Sequence, residues 1–150
     1  MLWLDVDSAT LMPNDRRRCG DMEVTTLDYV RPLDFSKFDP ARFTVQTLAG
    51  RENGSERCLF RVGRVPTGNA TETSHIHSVD KFYYVLAGEM TVQIEDEVHR
   101  AGPNTLIFVP AGVPHRNWNE REEPELHIVL FVPEPPPGAP LTLPVPGQTS

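Results

Sequence analysis

Residues 68–88 read GNATETSHIHSVDKFYYVLAG, and this stretch decides the fold of the 150-residue chain. His75 and His77 stand two residues apart. In an extended strand, side chains at i and i+2 leave the same face, so both imidazoles aim at one point. A second stretch, GPNTLIFVPAGVPHRNWN over residues 102–119, carries a strand-like run into the turn from Pro110 to Pro114 and delivers His115 behind it. Two histidines on one strand and a third just past a tight turn make a donor set suited to a first-row metal ion with coordination positions left open.

Together the two stretches resemble the paired motifs of the cupin superfamily. The first matches at Gly68, His75, His77 and Gly88, the second at Gly102, Pro110, Gly112, His115 and Asn119. The resemblance covers roughly residues 67–119. It implies an all-β fold, a double-stranded β-helix or jelly-roll barrel, with the metal inside one end. It also implies His75, His77 and His115 as the metal ligands, and a homodimer. One position departs from the pattern: where the family usually adds a glutamate ligand, seven residues before the closing glycine, this chain has Lys81. Asp80 is adjacent, but a shift of one residue in a strand turns a side chain to the other face. Glu72, three residues before His75, is the other candidate carboxylate.

A net charge of -7, from 14 basic and 21 acidic residues, argues against nucleic acid as a partner, because phosphate binding needs an electropositive face. The only run of basic residues is Arg16, Arg17 and Arg18. Cys19 and Cys58 fit neither a metal pair nor a redox motif, and suit a reducing compartment. The sequence shows neither a leader pattern nor an apolar run long enough for a membrane span, so the expectation is a cytoplasmic protein without a membrane partner.

The expected organisation is an N-terminal arm over residues 1–20, a barrel domain over 21–133 and a proline-rich tail over 134–150. Strands are predicted over 22–30, 42–48, 57–65, 81–87, 89–95, 105–109 and 125–132. Residues 42–48 and 57–65 should form a hairpin about Asn53 and Gly54, and 81–87 should pair with 89–95 across Gly88. Proline donates no ladder hydrogen bond, so the tail cannot join a central sheet; a surface strap or a disordered segment is expected.

With Lys81 in the usual ligand position, Lys81, Tyr83 and Val85 face inward, placing an amine and a phenol beside the three imidazoles. A metal held by neutral histidines keeps its full charge and favours an anionic or chelating substrate. An ammonium beside it is repelled unless it loses its proton or pairs with an acid. Lys81 and Tyr83 are therefore the candidate catalytic residues.

The expected function is a metal-dependent enzyme acting on a small oxygenated substrate: an organic acid, a diketone or a polyketide-like phenol. A dioxygenase-like oxidoreductase using Fe(II) leads, because a three-histidine site with open positions can hold a chelating substrate and oxygen together. A non-redox cyclase, isomerase or lyase using zinc, nickel or manganese is the alternative, and a non-catalytic anion-binding domain a third. Asn119 is expected to stabilise a turn and His99 to be solvated. His127 is expected to be structural or, if it faces inward, to support the site or replace a ligand.

Overall fold

The computed structural model describes residues 32–68 and 73–147, so the arm, the expected strand over 22–30, Cys19 and Glu72 lie outside the described residues. The described strands are β1 (Thr44–Ala49), β2 (Leu59–Val65), β3 (His75–Ile76), β4 (Asp80–Ala87), β5 (Met90–Ile94), β6 (Glu97–Ala101), β7 (Leu106–Val109), β8 (His115–Trp118), β9 (Glu125–Val132) and β10 (Leu143–Pro144). They form two antiparallel five-stranded sheets, ordered β1-β2-β9-β4-β7 and β10-β3-β8-β5-β6. Along β9, buried residues alternate with more exposed ones from Glu125 to Phe131, the period-two pattern of a strand covered on one face. Tyr83 and Val85 of β4, Met90 and Val92 of β5 and Val129 and Phe131 of β9 meet in the core between the sheets.

The hairpin expected from Asn53-Gly54 is present: β1 and β2 pair antiparallel, and Gly54 takes the left-handed conformation at φ 96°. The charged turn at Glu95 and Asp96 likewise joins β5 to β6.

The pairing expected across Gly88 does not occur. β4 lies between β9 and β7 in one sheet, whereas β5 lies between β8 and β6 in the other. Both strands carry an inward apolar row, and those rows stabilise more by facing each other across the core than by lying side by side. Gly88 makes the transfer between sheets at φ 73°, packed so tightly that an added Cβ would stand 2.6 Å from the Pro124 carbonyl oxygen and 2.9 Å from Glu125 Cα. Gly88→Ala should therefore destabilise the protein by roughly 3 kcal/mol, from the left-handed backbone and the clash together. Urea unfolding of the variant checks this, and an unchanged midpoint would refute it.

The tail forms the strap. Leu143 pairs with Ile76 and Pro144 with His75, adding β10 at the edge of the second sheet, where a missing N–H is tolerated.

Candidate metal centre

The two histidine stretches meet through the second sheet. His75 on β3 is the register partner of His115 on β8, and His77 follows β3 with its carbonyl accepting the Gly112 N–H at 2.8 Å. The turn from Pro110 to Pro114 is thus fastened to the first motif by a backbone bond. The ring centroids of His75, His77 and His115 lie 4.6 to 5.1 Å apart, and one ring nitrogen from each falls within 4.8 Å of the others.

Backbone carbonyls orient the rings. His77 Nδ1 bonds the Leu141 carbonyl at 2.5 Å, His115 Nδ1 bonds the Val113 carbonyl at 3.0 Å, and His75 bonds the Thr73 backbone. A proton fixed at Nδ1 leaves Nε2 with a free lone pair, the form in which imidazole binds metal. Burial first, and the neighbouring Lys81 second, push His75 and His77 down to about 4 and His115 to about 3. Three neutral, pre-oriented imidazoles fit a divalent ion.

Lys81 stands where its strand position placed it. Its side chain is buried, with Nζ 3.1 Å from both His77 Nε2 and His115 Nε2, and 4.4 Å above the centre of the Tyr83 ring. Burial lowers its pKa to about 7. The amine thus engages two of the lone pairs that an ion would use.

Tyr83 is buried beneath Lys81, and its hydroxyl donates to Asn117 Oδ1 at 3.1 Å. Asp80 faces away, its Oδ1 accepting the Ala111 N–H at 3.0 Å. Asn119 ties the turn as expected, donating to the Val65 and Glu123 carbonyls and accepting from the Arg121 N–H. His99 is half exposed beside Glu97. His127 faces inward, away from the cluster, with Nδ1 2.8 Å from a Glu125 carboxylate oxygen.

The cluster opens into a cavity of about 360 Å³ whose walls include Val45, Val65, Val129, Phe131, Tyr83 and His127. Three contributors escaped the sequence reading. Asn117 receives the Tyr83 hydroxyl bond, Leu141 braces His77, and Arg61 reaches the cavity wall with its Nε buried and unbonded. Arg61 was readable, because it shares the inward face of β2 with Leu59, Gly63 and Val65. The Leu141 contact joins residues 64 positions apart through a backbone oxygen, which no side-chain pattern encodes.

The buried histidines make the metal-free protein acid-sensitive. Their folded pKa values lie below the unfolded value of 6.5, so the unfolded state takes up more protons between about pH 6.5 and 4. The histidines' contribution to stability is full above that window and falls as the pH drops through it. Guanidinium midpoints measured after chelation should fall steadily from pH 7 to 4.5, and a flat profile would count against neutral buried imidazoles.

The strap has a matching consequence. Removing residues 139–150 deletes the Leu141 carbonyl and frees the His77 ring, which should weaken metal affinity by about 10–100-fold. Competitive chelator titration reads this directly; full-strength binding by the truncated chain would show that the brace is idle.

Residues 61–132 match the family model described as the Cupin domain. An uncharacterized protein of Streptomyces coelicolor, SCO3923, is 27% identical over 64 residues, which span 43% of this chain and 61% of that relative, under two thirds of its length. TT1209 from Thermus thermophilus superposes with a TM-score of 0.60 at 30% identity, covering 71% of this chain and 100% of that one. The DMSP lyase DddQ from Ruegeria pomeroyi gives 0.60 at 26% identity, over 72% of this chain and 54% of that one. The polyketide cyclase RemF from Streptomyces resistomycificus gives 0.60 at 25%, over 69% and 71%. With the two-sheet barrel, both histidine motifs and these likenesses in hand, the chain belongs to the cupin superfamily.

Proposed function

We propose that this chain is a metal-dependent enzyme acting on a small oxygenated organic substrate, with His75, His77 and His115 as the metal ligands. The observation that carries the proposal is the convergence of three neutral imidazoles, each braced by backbone, two of which, His75 and His77, line a cavity. A divalent ion held there keeps its full charge and supplies Lewis acidity toward a carbonyl, carboxylate or phenolate oxygen.

The chain's own residues supply the rest. Lys81, at the edge of the cluster, carries a proton to or from the oxygen end of the substrate. Tyr83, fixed by Asn117, presents its ring as a flat wall below the amine and its oxygen as a hydrogen-bonding group. Val129 and Phe131 keep the bound molecule away from water.

Non-redox chemistry is the reaction class we favour: proton abstraction beside a carbonyl, followed by cyclisation, isomerisation or elimination. A buried amine next to the ligand cluster suits proton transfer, and two similar solved structures are named as a lyase and a polyketide cyclase. The iron dioxygenase expected from the sequence is the competing reading on the same three ligands.

The test is elemental analysis of untagged protein, followed by incubation with phenolic, diketone and carboxylate compounds in an oxygen-electrode cell. We expect near-stoichiometric metal and product formation without oxygen uptake. Oxygen consumed in step with product would establish the oxygenase, and failure to bind iron, zinc, nickel or manganese after anaerobic reconstitution would sink both readings.

A further inference from the structure

Glu125 and His127 form a second ionisable pair, of which His127 lines the same cavity, away from the histidine cluster. Both residues are only 1% exposed, and the Glu125 carboxylate meets His127 Nδ1 at 2.8 and 3.0 Å. These are the only hydrogen bonds Glu125's side chain makes among the described residues. A buried carboxylate costs several kcal/mol to desolvate, and packing alone would be served as well by apolar residues.

The other ring nitrogen packs over a glycine. His127 is the register partner of Gly63 on β2, and its Nε2 lies so close over that glycine that an added Cβ would stand 2.6 Å away. A larger residue at position 63 would occupy the space beside Nε2. Among the described residues Nε2 has no hydrogen-bond partner, and His127 lines the cavity. His127 lines a space of about 360 Å³, with one ring nitrogen anchored to a carboxylate and the other lying over Gly63 without a hydrogen-bond partner among the described residues. This is the arrangement of a general base and its orienting acid.

The strand register fixes where this pair lies relative to the cluster. Lys81 is opposite Phe131, Tyr83 opposite Val129 and Val85 opposite His127, so His127 stands two inward rungs along β9 from the rung of Lys81. Four residues of strand separate Phe131 from His127, about 13 Å of backbone. The Tyr83 ring bridges the interval, meeting His127 edge-on at 5.2 Å and Lys81 Nζ over its face at 4.4 Å.

We propose that Glu125–His127 is a second proton-transfer centre, in which His127 Nε2 abstracts a proton from a carbon acid bound in the cavity. The C–H bond beside the carbonyl breaks, its proton passes to Nε2, and the bonding pair stays on the substrate as an enolate. Glu125 balances the imidazolium, and the proton, or a solvent deuteron exchanged for it, returns to the same carbon. The substrate class is a small ketone or aryl ketone whose acidic carbon lies against His127.

The experiment uses acetophenone as probe with the full-length, metal-loaded protein in deuterium oxide, following the methyl signal by proton NMR. Wild type should deuterate the methyl group, and His127→Gln should slow the exchange at least about 100-fold with metal content unchanged and the protein still folded at the assay temperature. Glu125, a positioning residue, is tested by Glu125→Gln, which should lower kcat about tenfold while leaving KM for the probe in place. Diethyl pyrocarbonate with peptide mapping supplies the substrate-free arm: His127 should be acylated in the metal-loaded protein.

A methyl signal that wild type leaves intact, exchange at the wild-type rate in His127→Gln, or a His127 that resists acylation would each overturn the proposal. Metal content measured on the same samples separates the two readings. Full metal with exchange indifferent to His127 removes only this pair, whereas His127-dependent exchange without metal removes only the metal.

Discussion

His115→Ala should purify as a folded protein that has lost its metal, with affinity reduced by more than about 100-fold. Removing one of the three proposed ligands leaves two imidazoles, and the Lys81 amine beside them still bonds one, His77 Nε2. The ion then faces a weaker donor set and an undiminished competitor. Folding should survive, because the core of Val85, Met90, Val92, Val109 and Val129 does not include His115. The variant does lose the bond to the Val113 carbonyl and leaves a small void, which together should cost about 1–3 kcal/mol. His115→Gln is the control that fills the space without supplying an imidazole. Metal analysis and circular dichroism on both variants decide the matter. Full occupancy in either would remove His115 from the ligand set, and a collapse of the fold in both would make it a structural residue.

How much of this was legible beforehand depended on whether a residue acts through its own strand period. His75 and His77 were placed together by alternation, and Lys81 and Tyr83 by alternation once the family resemblance had fixed which face of their strand points inward. His115 followed from the turn that precedes it. The pairing across Gly88 was misread because a glycine between two strand-like runs has the same local appearance in a hairpin and in a crossing between sheets. What separates them is the close approach of Pro124 and Glu125, thirty-odd residues further on. The tail was understood from its prolines, which confine it to an edge, but not from its function: Leu141 contributes a carbonyl, and every residue has one. His127 was expected to be structural or, if it faced inward, to support the site or replace a ligand. Only the three-dimensional contacts show that it faces inward away from the cluster, with Nδ1 bound to Glu125 and Nε2 lying over Gly63.

Lys81→Glu carries the opposite expectation for metal and the same one for activity. In the metal-free protein the lysine amine bonds His77 Nε2 and His115 Nε2, each at 3.1 Å, so an incoming ion must displace it from both. Glutamate at this position removes that competitor and adds an anionic oxygen donor, and the two effects together should raise divalent-metal affinity by at least about tenfold. Lys81→Met separates them, because it abolishes the competition without offering a comparable ligand. An increase shared equally by both variants would assign the whole effect to displacement, whereas a further gain in Lys81→Glu would measure ligation by the carboxylate. Turnover should fall in both, by about 100-fold or more if Lys81 is the proton carrier proposed above, because methionine has no proton to give and a glutamate held as a metal ligand is kept deprotonated. Tighter metal with lost turnover would explain why a lysine stands in a position the family usually gives to a ligand: it trades affinity for a proton carrier at the reacting oxygen. Were affinity and rate both unchanged, the amine would have no part in either, and its contacts with the two imidazoles would be a feature of the metal-free state alone.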